Sequence, residues 1–277
     1  MAKQVGFTLI ELVITMVLLA ILAIATTDFL RTGSLIYRQS ADRQVLLGEA
    51  RFAIERLNRE LHNSLPNSAR LDPNGANVTD YCLSFVPTIS AHTYIDIPVA
   101  PSSSASAAVV TSPSQPSIIS TAEPAWLSTY ILNSDEVLLA SGGLVNAGCS
   151  SATGKVFCLA NISEDASSGA STLGFSDSSN NATSVSFTTD SPSQRTFILG
   201  EPIRYCVENN RLLRFQPADS GTGVLMASKL ENPNTVLPFQ VVQPSLTRNS
   251  LVNLRLRFVE NNEVVEFNHD IVILNQP

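Results

Sequence analysis

The chain has 277 residues, 44% of them hydrophobic and only 15% charged, with a formal net charge of −7. That supplies one medium globular domain with a buried core and one additional apolar segment. With no basic cluster, nucleic-acid binding through phosphate neutralisation has no compositional support.

Residues 1–6, MAKQVG, carry one positive side chain, Lys3, and precede an apolar run interrupted only by Glu11. From Leu12 to Ala25 the run is 14 residues long, and it reaches about 20 when Phe7 to Ile10 are added, the length that spans a bilayer. Lys3 favours a cytoplasmic N-terminus. A secretory signal would close on small residues, as Ala23-Ile24-Ala25 could, but helical character continues through TTDFLRTGSLIYRQS without a break. An ionised carboxylate inside a bilayer costs a few kcal/mol, so Glu11 calls for a partner.

The run Gly6-Phe7-Thr8-Leu9-Ile10-Glu11-Leu12 resembles the processing signature of type IV pilins and pseudopilins. The resemblance implies that residues 1–6 are a leader, that a prepilin peptidase cuts between Gly6 and Phe7 on the cytoplasmic side, and that Phe7 is then N-methylated. Glu11 becomes the fifth residue of the mature chain. In an apolar helical bundle its carboxylate gains by facing the cationic terminus of a neighbouring subunit, and a single buried polar group of this kind selects register. The plainer reading is that Glu11 snorkels to the cytoplasmic headgroups.

Residues 7–30 read as the transmembrane or fibre-core half of a helix and 31–65 as its amphipathic half. Val45/Leu46, Ala50, Ile54, Leu57, Leu61 and Leu65 recur at helical steps. Arg51, Glu55 and Arg59 lie four apart and favour a solvated face of ion pairs. Pro66 stops the helix, giving a length of about 85–90 Å at 1.5 Å per residue. Sustained heptads are absent, against a simple anchor followed by a coiled coil.

Residues 66–277 read as a β-rich head. Strands are predicted over 80–87, 92–99, 129–141, 155–160, 184–190 and 196–200. Two hairpins, within 203–215 and 254–274, each turn on Val-Glu-Asn-Asn, and paired Asn residues tolerate the positive φ of a tight turn. Alternation of Leu with Arg255 and Arg257 predicts one buried and one wet face. The Ser/Pro/Ala-rich stretches 98–117 and 163–184 are predicted to be loops.

The fold class is therefore α+β: a long N-terminal helix packed on an antiparallel β-sheet head. The stretches 51–70 and 266–277 extend the resemblance to the large minor pilins of the PilW/PulJ type, most of all the MshO-type minor pilin of the mannose-sensitive haemagglutinin (MSHA) pilus. This implies a non-enzymatic structural subunit without cofactor. Its partners would be other major and minor pilins, the prepilin peptidase, the inner-membrane assembly platform, and the membrane itself before assembly. Alternatives are a J-type minor pseudopilin of a type II secretion system and a tip adhesin or DNA-capturing head.

Four cysteines after an apolar N-terminal segment fit an oxidising compartment. Of three possible connectivities, Cys149–Cys158 closes a short loop around Gly154 and Cys82–Cys206 joins two Tyr-Cys strand segments; this pair is preferred. The loop 148–156, GCSSATGKV, lacks phosphate-loop spacing and has Val156 where a hydroxyl is needed. His62, His92 and His269 are too dispersed in sequence to signal zinc or a triad. DSSNNA, 177–182, has calcium-like oxygens but Thr188 at the twelfth position.

Overall fold

The computed structural model describes residues 8–73, 81–111, 124–140, 142–165, 169–216, 221–233, 235–244, 248–261 and 263–274. One helix, α1 (Leu9–His62), runs for 54 residues, about 80 Å at 1.5 Å per residue. It ends three residues short of the predicted Leu65. A residue before proline is pushed out of the α region, and Leu65 instead enters the core, its N–H donating to the Val86 carbonyl at 2.8 Å. Asn63 Nδ2 and Ser64 Oγ donate to the carbonyls of Arg59 and Leu61, at 3.1 and 2.6 Å, satisfying acceptors that the helix end leaves open.

The head follows as β1 (Arg70–Pro73), β2 (Tyr81–Phe85), β3 (Thr88–Asp96), β4 (Ser106–Val110), β5 (Trp126–Thr129), β6 (Thr153–Gly154), β7 (Val156–Asp165) and β8 (Ala170–Phe175). It continues through β9 (Ser186–Phe187), β10 (Arg195–Leu199), β11 (Ile203–Glu208), β12 (Arg211–Phe215), β13 (Val224–Ala227), β14 (Phe239–Val242), β15 (Ser250–Glu260) and β16 (Glu263–Ile273). Two antiparallel sheets, β1-β2-β11-β12-β13 and β14-β15-β16, share one core with the second half of α1. Both Val-Glu-Asn-Asn segments are hairpins. Asn209 and Asn210 turn β11 into β12 with φ of 49° and 60°, and Asn261 has φ 46° between β15 and β16. Leu254, Leu256 and Phe258 are buried while Arg255 is exposed and Arg257 half-exposed, as alternation requires.

Between β2 and β11 the chain builds a second body, a closed barrel in the order β10-β3-β4-β8-β7-β5. Here the two stretches read as loops are corrected: 106–110 and 170–175 are paired barrel strands, Ala107 opposite Leu173 and Val109 opposite Ser171. Small residues hide this from composition. Ala107, Val109, Leu173 and Phe175 point inward, and the intervening Ser, Ala and Thr make no apolar run. Residues 112–117 and 166–168 of those stretches lie outside the described residues. At Gly174, where β7 shifts register, the missing Cβ leaves room for the Asn161 side chain, whose Oδ1 would lie 2.4 Å from a Cβ there. Phe157, Phe175 and Phe187 fill the interior edge to face, with centroids 4.8–6.1 Å apart.

The predicted strand 129–141 is also corrected. β5 stops at Thr129, Tyr130 takes φ 52°, and Ser134–Glu136 forms a short 3₁₀ helix opened by Asn133 Oδ1, which accepts from the Asp135 N–H at 3.1 Å. Ile131, Val137 and Leu138 are still buried, in a third cluster with Leu65, Val86, Trp126 and Leu199 between the barrel wall and the end of α1. Of 184–190 only Ser186–Phe187 is strand, paired in parallel with β6.

Cys82 and Cys206 are bonded and are direct cross-strand partners, with Cα atoms 4.1 Å apart. The bridge joins β2, where the chain departs for the barrel, to β11, where it returns. Cys149 is bonded to Cys158. That turn is held besides by Asn146, whose amide donates to the Val156 carbonyl at 2.9 Å and whose Oδ1 accepts from the Ser151 N–H at 2.9 Å, so GCSSATGKV is a stapled turn. Asp177 is likewise absorbed into its turn, Oδ1 accepting from the N–H groups of Ser179 and Asn181 at 2.9 Å. These bonds hold its carboxyl below the usual range. No cluster of three potential metal ligands occurs among the described residues.

The two bridges close loops of 124 and 9 residues. On chain entropy, Cys82→Ser with Cys206→Ser is expected to cost about 5 kcal/mol and Cys149→Ser with Cys158→Ser about 2.5 kcal/mol. Urea unfolding of the detergent-solubilised chain measures both. His92, 5% exposed in the barrel, has Nε2 2.8 Å from Ser90 Oγ, and burial holds its pKa below the ordinary imidazole value of 6.5. The unfolded chain therefore takes up this proton first. Stability is expected to fall as pH drops through 6.5 towards the lower folded value, and a His92→Gln chain, compared across pH 7.5 to 5, to lose that component.

Candidate functional site

The sequence-predicted site residues fall in three places. Gly6 and Phe7 lie outside the described residues, the cysteines are in the head, and Glu11 stands in the first turn of α1. That position suits an acid, because the unpaired N–H groups of a helix start carry partial positive charge. Thr8 is the N-cap by backbone alone, its carbonyl accepting from the Glu11 and Leu12 N–H groups at 3.1 and 3.3 Å. Among the described residues nothing partners the Glu11 carboxylate.

Three hydroxyls of this half are satisfied locally. The hydroxyls of Thr15, Thr26 and Thr27 donate to the carbonyls of Leu12, Leu22 and Ile24 at 2.8–2.9 Å. Such internal bonds let a hydroxyl sit in an apolar medium without an unmet donor. From Leu9 to Ser40 every residue is exposed, and one 18-residue window has mean hydropathy 2.7 with none of it buried. By length and composition this stretch can cross a membrane.

The second half is held to the head. Leu46, Ala50, Ala53, Ile54, Leu57 and Leu61 face the two sheets; of the Val45/Leu46 alternatives, Leu46 is the core residue and Val45 is 52% exposed. The expected pairs along Arg51, Glu55 and Arg59 do not form. Glu60 instead turns inward. Its carboxylate accepts from Tyr205 Oη at 2.7 Å, from Arg214 Nε at 3.1 Å and from Arg56 Nε at 3.1 Å. Burial, then the nearby Glu60 carboxylate, push the Tyr205 hydroxyl well above the ordinary tyrosine range, so it stays a donor. Two further contacts brace the helix: Glu49 accepts from Ser228 N and Oγ at 3.0 and 2.8 Å, and Asp42 from Asn261 Nδ2 at 2.9 Å.

Sequence reasoning missed Glu60, Tyr205 and Arg214, which are 145 and 154 residues apart along the chain from the acid. It also missed a second apolar stripe. Tyr37, Ala41, Val45, Gly48 and Phe52 follow three- and four-residue steps, and at 100° per residue they lie almost opposite the core-facing set. Tyr37 and Phe52 are 76% and 56% exposed. The helix thus exposes an apolar surface all around from Leu12 to Ala25 and an apolar stripe on one side from Tyr37 to Phe52.

Residues 1–27 match the family described as "Prokaryotic N-terminal methylation motif". No curated protein and no solved structure matches the chain. The motif and the long helix packed on antiparallel sheets make this a type IV pilin- or pseudopilin-like protein with an α+β pilin-like fold.

Glu60→Ala leaves Arg214 and Tyr205 in the interface without their acceptor, which is expected to cost about 3 kcal/mol. The measurement is chemical denaturation of the full chain, with Glu55→Ala, an exposed unpaired acid, expected to change it by less than about 0.5 kcal/mol.

Proposed function

We propose that this chain is a structural minor pilin of a type IV, MSHA-like pilus, placed in its tip or initiation complex, and that it contributes to fibre biogenesis and attachment without catalysing a reaction. The observation that carries the reading is the division of α1. Its head-proximal half is locked to a β domain, while its first half is apolar, wholly unburied and bears the unpartnered Glu11. A surface of this kind is stable in lipid before assembly and against other apolar helices afterwards. Packing of that sort uses van der Waals fit and satisfaction of the few polar groups.

In this reading a prepilin peptidase cuts between Gly6 and Phe7, Phe7 is methylated, and the subunit waits in the inner membrane with its N-terminus cytoplasmic and its head periplasmic. Glu11 then meets the cationic terminus of an adjoining pilin, which sets the axial register. Phe52 and Val45 extend the helix contact beyond the bilayer. The MSHA assignment draws on the likeness of 51–70 and 266–277 to MshO-type minor pilins.

N-terminal sequencing of the mature protein is expected to begin at N-methylated Phe7; a start at Met1, or after Ala25, overturns the proposal. Immunogold labelling of sheared fibres is expected to find sparse subunits. Labelling confined to the periplasm of cells bearing fibres would favour the type II secretion pseudopilin instead. Glu11→Ala, and separately Phe52→Asp, should leave membrane insertion and head folding unchanged while lowering the amount of subunit in sheared fibres by about tenfold.

A further inference from the structure

Among the described residues of the five-stranded sheet, three arginines are buried or half-buried, and their surroundings differ. Arg214 faces α1 and meets Glu60. Arg70, on the opposite face, is surrounded by acceptors: Nε is 2.7 Å from Asp72, Nη1 is 3.2 Å from Asp135 and donates to the Leu138 carbonyl at 3.0 Å, and Nη2 donates to the Leu139 carbonyl. Arg204 occupies the same face and the same cross-strand row, since Arg70 and Arg204 are both register partners of Ser84. It has no carboxylate partner among the described residues. Its Nη2 reaches only Cys82 Sγ, at 3.5 Å, a weak acceptor, and its Nε is buried with no acceptor.

An unmet guanidinium N–H away from water is unfavourable, and in this fold it is accompanied by space. Gly142, with φ 83°, lets the Arg204 stem lie against the covering loop: a Cβ there would be 2.8 Å from Cδ and 3.0 Å from Nε. Beyond the stem lies an open cleft of about 290 Å³, bounded by Gly143, Pro202, Phe215, Gln216 and Gly221. Phe215 supplies an apolar wall. Among the described residues that line the cleft, none is acidic.

We infer that this cleft binds a small carboxylate ligand through the Arg204 guanidinium. The planar fork of a guanidinium matches the two oxygens of a carboxylate, and the Phe215 wall accommodates a compact body carrying that group. The site is independent of the assembly reading, because it lies on the sheet face turned away from α1.

The test titrates the detergent-solubilised full chain calorimetrically, at constant ionic strength, with sodium glucuronate, acetate, sulfate and uncharged glucose. Glucuronate is expected to bind saturably and acetate more weakly, and glucose not at all. Arg204→Gln should weaken glucuronate binding by about tenfold or more, the factor that loss of a charge-assisted pair implies, whereas Arg255→Gln, an exposed arginine elsewhere on the head, should not. Saturable binding of sulfate but of neither carboxylate overturns the assignment, as does equal affinity in Arg204→Gln and the unmodified chain. Should Arg204→Gln fail to fold, phenylglyoxal labelling of the unmodified chain decides: glucuronate is expected to slow modification of Arg204 and not of Arg255, and equal rates with and without it refute the site.

Discussion

The carboxylate of Glu60, shared by Tyr205, Arg214 and Arg56, ties the last turns of α1 to the five-stranded sheet. Alone, the apolar row from Leu46 to Leu61 would allow α1 to slide or rotate on the sheets, since dispersion and burial have little direction. The charged cluster supplies direction. It fixes one helix azimuth, and that azimuth decides which side chains face outward. Tyr37, Val45 and Phe52 present an external stripe only because Glu60 and the Leu46–Leu61 row are turned the other way.

The head is organised around a detour. The chain pairs β1 with β2, leaves to form a six-stranded closed barrel, and returns to β11 beside β2. Such a long excursion carries a large closure entropy, and the Cys82–Cys206 bridge ties departure to return across one of the four register pairs that join the two strands. The barrel has its own aromatic centre in Phe157, Phe175 and Phe187, separate from the core that receives α1. Closing the sheet on itself also removes edges that would otherwise invite pairing with another chain.

Polar groups in the two halves of the helix are treated by opposite means. Below Ser40 the threonine hydroxyls turn back on their own helix, and Glu11 has no partner among the described residues. Above it Asp42, Glu49 and Glu60 all reach the head. The contrast is what a subunit needs if its head must be complete before assembly while its anchor remains open to exchange lipid for protein.

Much of this was legible in the residues themselves, wherever the cause is local. The 3.6-residue period from Leu46 to Leu61, the apolar run around Glu11, Pro66 and the two Asn-Asn turns act within a few positions, so they identified the helix, its limit to within three residues, and both late hairpins. The barrel was not legible, because its strands Ser106–Val110 and Ala170–Phe175 are built from small residues whose burial depends on one another and on Phe157 and Phe187. Nor could the partners of Glu60 be read, since attraction between charges depends on distance in space and Tyr205 and Arg214 are brought there only by the sheet. Sequence by itself determined that a long helix with an anchor-like half precedes a β-rich head; tertiary packing alone decided how that head is divided, which helix face stays open, and which side chains meet Glu60, because those depend on proximity in space and not along the chain.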